Sequence, residues 1–278
     1  MKAAVFHGPN QDLTIEQVEI DDPMPNEVLV RTVGSGVCHS DLHFVDGFYP
    51  FPAPAILGHE AAGVVEKVGS AVTYVQPGDH VILCLSVFCG QCDYCLSGKT
   101  HLCQSRPVRN PKTDPPKLTW NGTPVNQFAS ISGYAEKMLV HEHALVKITK
   151  EMPLDKAALI GCGVTTGVGA ALNTAKVEPG STVAVWGCGG VGLSAIQGAR
   201  IAGARQIIAV DTFENKLATA RELGATHSVD ASSHDPVAAI KEMTGGGVDY
   251  SFEAIGLKVA AEQCFNALRP GGTATVMA

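Results

Sequence analysis

Cys89, Cys92, Cys95 and Cys103 lie in one run, CGQCDYCLSGKTHLC, and their spacing constrains this chain more than any other feature. Two intervening residues let successive thiolates turn towards one cation, and a longer loop returns the fourth to close a tetrahedron. That is the ligand pattern of a structural Zn²⁺ site, which braces a loop and leaves no open position for substrate. Two other readings meet the same residues. Disulfides need an oxidising compartment, but MKAAVFHGPNQDLTIEQVEI has no apolar core long enough for a secretory signal, and nine cysteines cannot all pair. An iron–sulfur cluster also takes Cys-x-x-Cys-x-x-Cys, but the bacterial ferredoxin run closes three residues later with Cys-Pro. Here seven residues intervene and Gln104 follows. Zinc is the expectation, with catalysis to be sought elsewhere.

At 278 residues, 45% of them hydrophobic, the chain can bury two domain cores. A net charge of −7 without a Lys/Arg block argues against nucleic acid or an anionic membrane as partner. The longest apolar run, from Val81 to Phe88, is far too short to span a bilayer. A soluble, cytoplasmic protein is expected.

The first half carries short β-branched runs, Ala3 to Phe6, Val28 to Val33, Ala61 to Val68, Val81 to Leu85 and Lys137 to Val140, separated by Pro/Gly turns. These predict an irregular β-barrel or sandwich with long loops. From Leu154 onward, alanine-rich helical segments alternate with five apolar strands: Thr182 to Trp186, Gln206 to Val210, His227 to Val229, Asp249 to Phe252 and Thr273 to Met277. That alternation predicts βαβ units and a parallel sheet. The boundary falls near residue 160, giving domains 1–160 and 161–278.

In VAVWGCGGVGLSAIQGARIAG a strand runs into Gly187-x-Gly189-x-x-Gly192 and then a helix from about Val191 to Ala202. The first glycine permits the tight turn, the second lets backbone approach a pyrophosphate, and the third permits close helix-to-strand packing. The next strand, QIIAVD, ends in Asp211, nineteen residues after Gly192. A carboxylate there accepts hydrogen bonds from the adenosine ribose and repels a 2′-phosphate, which favours NAD over NADP. Lys216, in the following turn, could contact the same ribose.

Cys38 in GVCHSD, His59 in LGHE and Cys162 in GCGVTTG each sit in a glycine-flanked loop. Two thiolates and one imidazole leave a fourth position on zinc for water or alcohol, the Cys₂His set of a catalytic zinc. None of the three would be informative alone, since an isolated Cys is usually core; beside a dinucleotide fold the combination is pointed.

Through GVCHSDLH, ILGHEAAGVVEKVG, PGDHV, CGQCDYCLSGKTHLC, GCGVTTG, GCGGVG and DYSFEAIG, the chain resembles the zinc-dependent medium-chain alcohol dehydrogenases along its whole length. The resemblance implies a β plus α/β fold, in which a GroES-like β-barrel catalytic domain carrying both zinc sites precedes a Rossmann NAD-binding domain. It implies two Zn²⁺ and NAD as cofactors, and hydride transfer between a primary alcohol and NAD to give the aldehyde. Hydride leaves an alcohol carbon readily only once the oxygen has lost its proton, which a Lewis acid promotes. In the implied relay Ser40 takes that proton and passes it through a ribose hydroxyl to His43, an imidazole suited to release it near neutral pH. Asp41 is expected to orient His59 and Glu60 to lie behind the metal. His39 is implied on the cofactor pyrophosphate, and Thr166 and Val191 at the nicotinamide.

The resemblance also places Phe48, Tyr49, Leu85, Phe128 and Ala129 around the substrate, an apolar and partly aromatic set that suits aliphatic or aromatic alcohols rather than polyols. The loop VNQFASISGYAEKMLVHEHALVKI is similar to the branch that oxidises S-(hydroxymethyl)glutathione, but DGFYPFPAPAILGHE lacks the acidic residues carried there. Five strands are counted where the doubly wound fold has six. Family members continue past this point through a sixth strand and a return segment, so the chain reads as C-terminally truncated, its Rossmann sheet incomplete, and weakly active alone. A longer form is expected to be a homo-oligomer. The alternative from another class is an inactive zinc- and nucleotide-binding protein.

Overall fold

A computed structural model describes residues 1–277; Ala278, the end of the second expected domain, lies outside the described residues. The chain divides into two compact units, Met1–Cys162 and one beginning at Gly163, two residues beyond the boundary read from sequence.

The first unit is built on a five-stranded sheet in which Lys137–His141, Glu27–Gly36, Glu60–Val68, His80–Leu83 and Leu145–Ile148 follow one another. Its apolar side chains, among them Val28, Val30, Val65, Val81, Leu83, Met138 and Val140, form one buried cluster. A four-stranded sheet containing Lys2–Phe6 and Thr14–Gln17, and a three-stranded one around Leu118–Trp120, complete the unit. The central antiparallel pair matters most for function. Its register sets Gly36 opposite Glu60, so the end of one strand, which leads into Cys38, lies beside the start of the next, which follows His59.

The second unit is a five-stranded parallel sheet in the spatial order His227–Asp230, Gln206–Asp211, Thr182–Trp186, Val248–Glu253, Leu268–Val276. In chain order that is 3-2-1-4-5, the doubly wound arrangement, with helices between successive strands. Every residue of Thr182–Trp186 is buried, as expected for a central parallel strand covered on both faces. The helix Gly190–Ile201 follows directly. A Cβ at Gly192 would collide with the carbonyl of Gly187, and one at Gly198 would press on Val168 and Ala171. These glycines let the helix lie flush on the glycine turn and on the helical segment Gly163–Thr174.

The structure departs from the sequence reading in three places. The strand expected at Val81 to Leu85 ends at Leu83, where the chain leaves the sheet towards the four-cysteine lobe. The last strand begins at Leu268, not Thr273, because Leu268 already pairs with Val248; an irregularity between Val248 and Tyr250, with Gly271 at φ +82°, accommodates the Pro270–Gly272 turn within it. The strands Thr14–Gln17 and Glu19–Ile20 carry too few buried apolar residues to show the alternation on which such a reading depends.

Candidate active site

Cys38, His59, Glu60 and Cys162 bring one ligand atom each to within 4.8 Å of one another, all inside the first unit. Cys38 is the N-cap of the helix His39–Val45, where free N–H groups and the helix dipole favour a thiolate. His59 follows Gly58, whose φ of +89° turns the chain just before the Glu60 strand. Cys162 follows Gly161, at which a Cβ would collide with the carbonyl of Leu83, so only glycine lets this segment reach the sheet. A Cβ at Gly36 would press on the side chains of Glu60 and Leu159.

Metal bonds of about 2.3 Å to sulfur and 2.0–2.1 Å to nitrogen set tetrahedral edges of about 3.8 Å between sulfurs and about 3.6 Å between nitrogen and sulfur. His59 Nε2 lies 3.3 Å from Cys162 Sγ, so the donor set fits Zn²⁺. Hydrogen bonds from Cys162 and His59, with those from the Ser40 backbone N–H and hydroxyl, hold the Cys38 thiol down at about 3. Burial disfavours the His59 imidazolium, but bonds to Asp41 and Cys38 outweigh it and raise the ring to about 10. The bond to Cys38, then burial, push the Cys162 thiol up. The pocket therefore pairs an anionic sulfur with a positive charge, which a bound dication would supply in place of the ring proton.

Asp41 is 2% exposed. Its Oδ1 lies 3.0 Å from His59 Nδ1 and accepts the Gly58 N–H at 3.3 Å. Its Oδ2 accepts the Cys38 N–H at 3.2 Å and the Tyr134 hydroxyl at 2.8 Å. This arrangement fixes which ring nitrogen of His59 faces the thiolates, the usual service of a carboxylate behind a metal-bound imidazole. Tyr134 went unread in the sequence, where SGYAE carries no spacing signal.

The four-cysteine lobe meets the same geometric test. Cys92 Sγ lies 3.5 Å from Cys95 Sγ and 3.9 Å from Cys103 Sγ, and Cys89 Sγ lies 3.9 Å from Cys95 Sγ. Backbone hydrogen bonding at Cys95 lowers the Cys92 thiol to about 6, while burial and Cys92 push Cys95 up to about 11. All four sulfurs lie within 4.8 Å of one another, a closed tetrahedral set for Zn²⁺. His143 ties the lobe to the barrel: its ring stacks on Phe88 at 4.4 Å and its Nδ1 lies 2.7 Å from the Phe88 carbonyl.

In the second unit a cleft of about 450 Å³ opens at the carboxyl ends of the strands. Gly187 and Gly189 line it after the first strand, Asp211 to Phe213 after the second, and Ala254, Ile255 and Leu257 after the fourth. This is the topological switch point, where dinucleotides bind in such sheets. Nothing stands within 4 Å of a Cβ built at Gly189, so the backbone there is open to a phosphate. Asp211 accepts three backbone N–H groups, from Cys188 at 2.8 Å, Thr212 at 2.8 Å and Phe213 at 3.1 Å. A carboxylate offers about four lone-pair sites, so these three bonds leave room for a ribose hydroxyl. The Lys216 ammonium lies 5.1 Å from the centre of the Phe213 ring, at the rim of the same cleft. Val191 sits at the start of the helix after the glycine turn. Thr166 precedes Gly167, at which a Cβ would collide with the Val191 carbonyl.

The remaining expected residues fall into separate groups. Ser40 is the second residue of the helix that Cys38 caps. His43 lies one turn along the same helix, with its ring 5.1 Å from that of His39, 5.5 Å from that of Phe48 and 5.6 Å from that of Tyr49. Phe48 and Tyr49 are well exposed. Phe128 packs edge-on against Phe44 and Phe51 and stands 6.0 Å from the His59 ring. Leu85 packs instead on the core of the five-stranded sheet.

Residues 24–150 match the alcohol dehydrogenase GroES-like domain, and residues 190–278 match the zinc-binding dehydrogenase domain. Among solved structures, an alcohol dehydrogenase zinc-binding domain protein from Burkholderia ambifaria is 42% identical with a TM-score of 0.91. Benzyl alcohol dehydrogenase from Acinetobacter calcoaceticus is 40% identical with a TM-score of 0.89. A zinc-binding dehydrogenase from Sinorhizobium meliloti 1021 bound to NADP is 30% identical with a TM-score of 0.83. Each similarity covers 99% of this chain and 76% of the other. With the GroES-like barrel, the parallel dinucleotide-type sheet and these matches, the chain belongs to the zinc-dependent medium-chain alcohol dehydrogenase family of oxidoreductases.

Proposed function

We propose that the protein is an NAD-dependent dehydrogenase of primary alcohols, aromatic ones foremost, that forms the aldehyde. The observation that carries this reading is the convergence of Cys38, His59 and Cys162 on one point, with Glu60 in the same group. These residues would hold zinc, which when bound would supply a Lewis acid that lowers the pKa of an alcohol hydroxyl. Ser40 would receive the hydroxyl proton as it gives up its own, which the family resemblance routes through a ribose hydroxyl to His43, one helical turn on, and so to solvent. A dinucleotide held on the Gly187–Gly192 turn would supply the hydride acceptor. Asp211 supports NAD, because its charge opposes a 2′-phosphate. The Phe128 ring, 6.0 Å from that of His59, together with the resemblance to benzyl alcohol dehydrogenase, supports an aromatic alcohol. Both metal sets need thiolates, and all nine cysteines are unpaired, which supports a reducing, cytoplasmic setting.

Reduced-cofactor formation over a panel of benzylic, aliphatic and secondary alcohols, polyols and S-(hydroxymethyl)glutathione, with NAD and NADP in parallel, tests the reading. Highest kcat/KM for a benzylic alcohol with NAD is expected. Turnover confined to the glutathione adduct or to NADP would redirect it, and a fully zinc-loaded, nucleotide-binding protein with no turnover would make it a non-catalytic scaffold.

A further inference from the structure

Tyr134 touches none of the three metal ligands, yet it stands behind two of them. Its hydroxyl donates to Asp41 Oδ2 at 2.8 Å, and the same oxygen accepts the Cys38 N–H. The other Asp41 oxygen accepts the Gly58 N–H and faces His59 Nδ1. One buried carboxylate thus grips both chain segments that bring Cys38 and His59 together. Tyr134 is itself held from several sides. Its backbone N–H donates to the Leu57 carbonyl at 3.1 Å, its carbonyl accepts the Ala4 N–H at 2.8 Å, and the Gly133 N–H donates to Gly58 at 2.8 Å. A Cβ at Gly58 would meet the Tyr134 ring at 2.6 Å, so the ring lies close against the turn that presents His59. Burial, then the Asp41 charge, push the phenol pKa up, so the group remains a donor.

We propose that Tyr134 is a positioning residue of the metal site: its hydroxyl holds the Asp41 carboxylate in the orientation that fixes Cys38 and His59, and thereby sets the affinity of the Cys38–His59–Cys162 set for its metal. The inference rests on the reading of those three residues as metal ligands. A purely structural role would need only the ring against Gly58, which phenylalanine also supplies. Without the hydroxyl, Asp41 loses a donor in a site where it is 2% exposed, and its carboxylate can turn. Groups directly behind metal ligands typically set 10- to 100-fold in affinity. Tyr134 acts one hydrogen bond further out, so an effect of about tenfold is expected.

The experiment compares the full chain with Tyr134→Phe, Asp41→Ala and the double variant. Zinc affinity is read by competition with a chelator, using the four-cysteine zinc as internal reference, and the visible spectrum is read after cobalt replacement. Tyr134→Phe should weaken the second metal about tenfold and shift its cobalt bands, with the four-cysteine metal unchanged. In the Asp41→Ala background it should do nothing further, because the two residues act as one unit. Wild-type affinity and spectrum in Tyr134→Phe would overturn the proposal, as would an equal loss with and without Asp41. A wild-type chain that binds no second metal would overturn the underlying site reading as well, and so separates the two failures.

Discussion

Asp211 Oδ2 accepts the backbone N–H of Cys188 at 2.8 Å, so the acid that ends the second strand of the parallel sheet also holds the glycine turn that follows the first. If Asp211 selects NAD as proposed, cofactor choice and loop geometry are coupled through one side chain. Asp211→Asn keeps an acceptor and removes the charge. Its preference for NAD over NADP, measured as the ratio of kcat/KM values, should narrow by about 10- to 100-fold, the range of one charge-assisted hydrogen bond. An unchanged ratio would place cofactor selection elsewhere in the cleft.

In the proposed relay Ser40 takes the alcohol proton. General acid–base groups typically contribute about 10²- to 10⁴-fold. Ser40→Ala should lower kcat within that range while zinc content and NADH binding stay at wild-type levels, and Ser40→Thr should restore part of it. Wild-type turnover in Ser40→Ala would reduce Ser40 to a hydroxyl that supports Cys38.

Glu27 anchors the segment that follows the four-cysteine lobe. It pairs with Arg109, whose guanidinium also reaches Asp21, and with Lys117, and both Glu27 and Arg109 are nearly buried. Burial raises the Glu27 pKa, but the bonds from Arg109 and the charge of Lys117 outweigh it and hold the carboxyl below its ordinary value. The folded pKa is thus the depressed one, so the stabilisation is complete above the ordinary glutamate pKa of about 4.3 and disappears as pH falls through the lower folded value. Breaking a buried pair of this kind costs about 3–5 kcal/mol. Glu27→Gln should therefore lower the urea midpoint clearly at neutral pH, and the gap from wild type should close in acid. A gap independent of pH would assign the loss to packing.

Much of this was legible in the sequence because the decisive features are local. The glycine turn and the strand and helix around it follow from short-range backbone rules, and Gly192 stands where the collision with the Gly187 carbonyl demands it. The four-cysteine run carries its geometry in its spacing. Cys38, His59 and Cys162 are far apart in the chain, and only the Gly36–Glu60 register and the close approach of Gly161 to Leu83 bring them together. Residue types alone could nominate them but could not position them. Tyr134 was invisible because its role lies in one long-range hydrogen bond. Leu85 was grouped with the aromatic residues by resemblance, and its packing on the sheet core depends on where the strand ends.

The proposed function requires two chemically distinct metal sites, of which only one serves the reaction. Metal analysis of the wild type and of His59→Ala, each assayed with benzyl alcohol and NAD, tests it most directly. The account predicts two zinc ions and NADH formation for the wild type, and one zinc ion, a folded protein and no turnover for His59→Ala. Wild-type turnover with a single zinc, or His59→Ala retaining both zinc ions and activity, would contradict it.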